Sequence, residues 1–222
     1  VAPSSTGRPA LRIGSQRSLT NGPLLEDCDI VGDDGAALIT LGDSCNAFTV
    51  RRCTFSCARA VSFSFGASGA VFMYASSGAQ SFVVPDMLWE DNTITNSQGP
   101  GMMIRSGSPS DDNKTLFPGR FLNATFRRNR WTDCGTTGVF LVCGFNSTVG
   151  VDEARPLYGW NGLLFEDNEV TGNGGSGASI GPNFIDGDRR TVVQRNKVWN
   201  NGRRNGTTGG LQLNGMTGAL VQ

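Results

Sequence analysis

One six-residue pattern recurs six times along the chain and limits the possible folds more than any other feature. It runs apolar, two charged or polar residues, Asn or Cys, any residue, apolar. The copies are Leu25–Ile30, Val50–Phe55, Trp89–Ile94, Phe126–Trp131, Phe165–Val170 and Val193–Val198. With the Asn or Cys as anchor (Cys28, Cys53, Asn92, Asn129, Asn168, Asn196), successive copies lie 25, 39, 37, 39 and 28 residues apart. Those spacings are solenoid coils.

A second register agrees. Ten and twelve residues after the first five anchors stand Leu38/Thr40, Phe63/Phe65, Met102/Ile104, Val139/Leu141 and Ala178/Ile180. The sixth copy has Leu211/Leu213, displaced by five. Alternate residues of a strand share a face, so these pairs are predicted to stack inward, coil upon coil. The two residues before each anchor read Glu-Asp, Arg-Arg, Glu-Asp, Arg-Arg, Glu-Asp, Gln-Arg. Neighbours in a parallel stack sit about 4.8 Å apart, so alternating signs attract where like signs would repel. Each exposed pair adds only a few tenths of a kcal/mol, but the row also fixes register. The anchor suits an inward asparagine ladder.

These observations predict an all-β fold: a right-handed parallel β-helix solenoid of about six coils. Residues 1–222 read as one domain, either whole or a piece of a longer solenoid, since neither end shows a capping helix. Glycine is abundant, 31 residues, as many short strands and tight turns require. Long loops are expected on coils two to four, near 67–86, 106–123 and 143–162.

The composition excludes several chemistries. There is no histidine, which removes Ser-His-Asp and Cys-His centres and any His-ligated zinc. Acid–base work falls to carboxylates, with Lys, Arg or Tyr as helpers. Nineteen basic residues balance nineteen acidic ones, giving no nucleic-acid footprint. No apolar stretch approaches the roughly 20 residues of a membrane helix. Six cysteines lean towards disulfides and an extracellular setting, although Cys28 and Cys53, stacked at the anchor, are equally readable as two buried thiols. The start at Val1, without Met or a signal-like segment, reads as a mature form or a fragment.

The sharpest chemical feature is Gly32-Asp33-Asp34-Gly35. Paired carboxylates serve glycoside hydrolysis, one protonated as acid and one ionised as base or nucleophile. They are also hard ligands for calcium, or a plain solvated turn. The stretch Leu25–Ile39 resembles the Gly-Asp-Asp segment of pectin-degrading and related β-helix enzymes, polygalacturonases and β-helix α-galactosidases among them, where the Asp pair is catalytic. That resemblance implies catalytic roles for Asp33 and Asp34. The Gly-His-Gly and Arg-Ile-Lys motifs of polygalacturonases are absent. Arg59, one coil after Asp34, and Arg105, expected to face outward, are candidates to neutralise a substrate carboxylate or act as base. Asp34 with Arg59 is equally a cross-coil ion pair. Tyr158 and Trp160 in the third long loop are candidates to stack on sugar rings, or to pack that loop down.

The expectation is a secreted, monomeric protein acting on a polysaccharide, with no nucleic-acid or membrane partner and no cofactor or metal. The alternatives are a calcium-assisted polysaccharide lyase and a non-catalytic glycan-binding or adhesin-like solenoid.

Overall fold

The computed structural model describes residues 11–13, 20–32, 39–41, 45–56, 62–63, 66–67, 70–74, 82–106, 119–143, 159–181, 189–203, 209–216 and 218–222. They form an all-β stack of parallel sheets. The first sheet holds Leu11–Ile13, Ile39–Leu41, Val71–Tyr74, Met102–Ser106, Val139–Cys143, Ala178–Gly181 and Leu211–Leu213, in that spatial order. The second holds Leu24–Glu26, Thr49–Arg51, Leu88–Glu90, Thr125–Arg127, Leu164–Glu166, Val192–Gln194 and Leu220–Val221. The third holds Asp29–Val31, Thr54–Ser56, Thr93–Thr95, Arg130–Thr132, Glu169–Thr171 and Lys197–Trp199. A shorter sheet, Phe82–Pro85, Gly119–Leu122 and Gly159–Asn161, lies between the first and second along the chain.

A five-residue rhythm builds the second and third sheets: three residues of strand, then a two-residue corner. The corner between these sheets puts Asp27, Arg52, Asp91, Arg128, Asp167 and Arg195, each just before an anchor, in the left-handed region at φ 52–55°. Five residues earlier come Gly22, Ala47, Asp86, Asn123 and Gly162, and five later Asn96, Asp133, Gly172 and Asn200, all at positive φ. Asp, Asn and Gly suit that region, whereas Arg pays about 1–2 kcal/mol there. The stack holds it: Arg52 N–H donates to Glu90 O at 3.0 Å and Arg128 N–H to Glu166 O at 3.1 Å.

The middle residue of each short strand points inward. Val50, Phe55, Trp89, Ile94, Phe126, Trp131, Phe165 and Val170 are all 0% exposed. Their rings interlock, Phe48 edge-on to Trp89 at 6.1 Å and Trp131 stacked on Phe165 at 6.0 Å. Fully burying a side chain of this size contributes about 1.5–3 kcal/mol.

The anchors form the expected ladder. Asn92 Oδ1 accepts from Cys53 N–H at 3.0 Å, Asn129 Oδ1 from Asn92 N–H at 3.1 Å, Asn168 Oδ1 from Asn129 N–H at 2.9 Å and Asn196 Oδ1 from Asn168 N–H at 3.0 Å. Each amide nitrogen also donates to a carbonyl of the preceding coil: Asn92 to Val50 O, Asn129 to Trp89 O, Asn168 to Phe126 O.

In the first sheet, Met102/Ile104, Val139/Leu141, Ala178/Ile180 and Leu211/Leu213 are in register, as expected. The first two coils differ. The strand below Met102–Ser106 is Val71–Tyr74, not Phe63/Phe65; Phe63 sits in a small antiparallel pair, Ser62–Phe63 with Gly66–Ala67, inserted before it. Beneath it lies Ile39–Leu41, so Ile39/Leu41 take the register expected of Leu38/Thr40. One more residue separates anchor and strand in that coil than in the third to fifth. The strand Leu11–Ile13 adds a layer below.

Candidate functional site

Most of the sequence-derived site lies outside the described residues. Asp33 and Asp34 fall in the connection from Asp29–Val31 of the third sheet to Ile39–Leu41 of the first. Arg59 falls in the equivalent connection one coil later, and it and Tyr158 are likewise outside the description. Arg105 is placed by its backbone in the first sheet, in register with Tyr74 on one side and Val142 on the other.

Of the two roles open to Trp160, the structure shows packing, from a strand and not a loop. It belongs to the strand Gly159–Asn161 and is in register with Phe121, itself in register with Val84; all three are 0% exposed. Its ring stacks on Phe121 at 4.4 Å, and its Nε1 donates to Leu141 O at 3.1 Å. A ring with both faces in the core offers nothing to a sugar. Trp160 is a packing residue.

The connection that contains the Asp pair is described on later coils, and it carries a second ladder that the repeat analysis missed. Five residues after the anchors stand Ser97, Cys134, Asn173 and Asn201. Cys134 N–H donates to Asn173 Oδ1 at 3.0 Å, and Asn173 N–H to Asn201 Oδ1 at 3.1 Å. Asn173 Nδ2 reaches Trp131 O at 3.3 Å, and Ser97 Oγ donates to Pro100 O at 2.8 Å. Ser97, Cys134 and Asn173 are 2%, 2% and 0% exposed. A constant offset of five from the first ladder is the signal that could have found them. Glycines complete the corner: a Cβ at Gly138 would come within 2.6 Å of Asn173 Nδ2 and 2.8 Å of Gly177 O.

The charged row runs along the corner between the second and third sheets, and it pairs coils two by two. Arg51 and Arg52 grip Glu26, and Arg52 also binds Asp27 at 2.7 Å. Arg127 reaches Glu90 at 2.6 Å, and Arg128 binds both Glu90 and Asp91. Arg195 takes Glu166 at 2.6 Å and Asp167 at 2.8 Å. The hydrogen bond from Arg195, with the charges of Arg195 and Arg128, holds the Asp167 carboxyl below its ordinary range. These groups are committed to each other.

Cys28, Cys53 and Cys134 are free thiols. Cys53 Sγ donates to Arg51 O at 3.2 Å, and burial raises its pKa above the usual thiol value. Burial pushes Cys134 up to about 12. No three His, Cys, Asp or Glu among the described residues gather where a metal ion would bind, so calcium in the lyase alternative would need residues outside them.

The family model for the right-handed β-helix region matches residues 4–177. No curated protein and no solved structure matches the chain.

Proposed function

The chain belongs to the right-handed β-helix family, and from that premise we propose that it is a secreted protein acting on a polysaccharide, a glycoside hydrolase whose paired carboxylates are Asp33 and Asp34. The observation that carries this reading is where the chain departs from its rhythm. Segments 75–81, 107–118 and 144–158 each follow a strand of the first sheet, on three successive coils, while the corners between the second and third sheets need two residues. Long connections leaving neighbouring strands of one rigid sheet are where solenoids carry binding residues. The connection holding Asp33 and Asp34 leads into that same sheet from its other side. In a chain without histidine, that pair is the best-suited acid and base.

A second reading, a glycan-binding solenoid without turnover, is favoured by one count. Asp33 stands five residues after Cys28, the offset of the second ladder, which suits a structural carboxylate.

The test is a panel of plant, algal and bacterial polysaccharides incubated with the purified chain, with and without calcium. New reducing ends that vanish in Asp34→Asn support hydrolysis. Unsaturated products that need calcium sink the hydrolase in favour of a lyase. Binding without new ends on any bound glycan leaves the second reading standing.

A further inference from the structure

The balanced charge of the whole chain conceals a strongly polar distribution. Residues 189–222 contain six Lys or Arg and no Asp or Glu, so the preceding 188 hold thirteen basic and all nineteen acidic residues. Arg195 is consumed by Glu166 and Asp167. Arg189, Arg190, Lys197 and Arg203 are exposed. Lys197 and Trp199 flank Val198, which packs against the core, so both project outward from the last strand of the third sheet, roughly 6.5 Å apart.

Trp199 is 55% exposed, the one aromatic ring so open among the described residues, while Trp89, Trp131 and Trp160 are all 0% exposed. It lies in register with Thr171, which is 8% exposed. Lys197 lies in register with Glu169, whose carboxylate is drawn to Arg130 at 3.4 Å. Beyond the next corner stands exposed Arg203, its Nε donating to Asn200 Oδ1 at 3.4 Å.

We propose that Lys197, Trp199 and Arg203 form a binding site for an acidic polysaccharide, a chain bearing carboxylates or sulfates. The indole offers an apolar face to a sugar ring, and the flanking cations take the acidic groups. Glu166, Asp167 and Glu169 on the coil below take up Arg195 and Arg130, which leaves a few separate cations rather than the continuous basic track that a polyanion as dense as a nucleic acid, one charge per about 1.7 Å of duplex, requires. A glycan with at most one or two charges per sugar suits such separate cations. The site rests on the polysaccharide reading above and specifies its substrate class, at a place separate from the Asp33–Asp34 connection.

Affinity electrophoresis of the 222-residue chain through gels containing polygalacturonate, dextran sulfate, dextran or single-stranded DNA tests it. Polygalacturonate or dextran sulfate retards the protein, dextran does not, and the response to the two anions separates carboxylate from sulfate recognition. Trp199→Ala and the pair Lys197→Ala/Arg203→Ala each weaken retardation about tenfold, whereas Trp199→Phe retains most of it. Unchanged urea midpoints show that the variants are folded. The site is refuted if these variants bind acidic glycans like the parent, or if DNA binds as tightly as polygalacturonate. Retardation by dextran alone, or by no glycan, removes the acidic site, while the polysaccharide reading stands or falls on the turnover panel above.

Discussion

Asn129→Ala tests the ladder where it is most buried. Asn129 is 1% exposed, as are Asn92 and Asn168 on either side. Its Oδ1 accepts from Asn92 N–H at 3.1 Å and Asn92 Nδ2 at 3.0 Å; its Nδ2 donates to Trp89 O at 2.9 Å and Asn168 Oδ1 at 3.2 Å. Alanine removes both roles and strips Asn92 N–H and Trp89 O of these partners inside the stack. Two such groups at about 1–3 kcal/mol each put the loss near 4 kcal/mol. Asn196→Ala strips Phe165 O and Asn168 N–H in the same way, but that side chain is half-buried and water can replace it, so about 1–2 kcal/mol is expected. Arg128→Ala, an ion pair whose side chain is 46% exposed, costs about 1 kcal/mol or less. Asn129→Asp keeps the acceptor but places a carboxylate against the Trp89 and Asn168 oxygens. Its folded pKa must therefore rise, and this variant regains stability as pH falls through that raised value. Urea unfolding followed by tryptophan fluorescence reads all four. A midpoint for Asn129→Ala within the error of the parent, or equal to that of Asn196→Ala, would refute the reasoning.

Three further outcomes follow from the geometry. Gly135→Ala drives its new Cβ into the Gln98 carbonyl of the preceding coil, so the urea midpoint falls sharply, whereas Gly22→Asn, at φ +58° with nothing within 4 Å, leaves it nearly unchanged. Because the folded pKa of Asp167 is depressed, its pairing with Arg195 stabilises the fold above the ordinary carboxylate pKa and is lost as pH falls through the depressed value; Arg195→Ala removes that part of the acid-side fall in the urea midpoint. Native alkylation at about pH 8 modifies half-buried Cys28 well before Cys134, whose thiol is 2% exposed and pushed up to about 12; equal rates by peptide mass spectrometry would contradict that placement.

The coil was legible because its two strongest constraints are periodic. Inward residues and anchors must repeat at every turn, and the Glu-Asp/Arg-Arg alternation marks which coils touch. The first sheet was read correctly only where the connection from the anchor keeps a fixed length. One extra residue before Ile39, and the antiparallel pair at Ser62–Ala67 before Val71, shifted the register of the first two coils. Phe63 satisfied the pattern as well as Val71 does, and hydrophobicity alone could not separate them. The second ladder escaped because its members differ chemically: Ser97, Cys134, Asn173 and Asn201 share a position, not a residue type. That Trp160 belongs to a strand escaped for a related reason. It lies near a Gly-rich, charged stretch, yet the strand it belongs to is defined only by pairing with Gly119–Leu122, thirty-nine residues earlier.

The Asp pair can be split by the same counting. Gly32 N–H donates to Ser56 O at 3.1 Å, as Asn96 does to Thr132 O, Asp133 to Thr171 O and Gly172 to Asn200 O. The first anchor's coil therefore keeps the common register through Gly32. In the other coils the next residue is Ser97, Cys134 or Asn173, almost wholly buried, and the one after is exposed Gln98, half-buried Gly135 or buried Gly174. By sequence count alone, Asp33 has the offset of that ladder from its anchor and Asp34 follows it. On that count the prediction is that Asp33 serves as the general acid, since burial of a carboxyl favours its protonated form, and Asp34 as the base. Asp33→Asn should then raise the urea midpoint, since an amide both donates and accepts in a ladder without a buried charge, and abolish hydrolysis. Asp34→Asn should leave the midpoint unchanged and abolish hydrolysis too. Turnover surviving in either variant would end the paired-carboxylate mechanism, and a midpoint that falls in Asp33→Asn would end the assignment of Asp33 to the ladder.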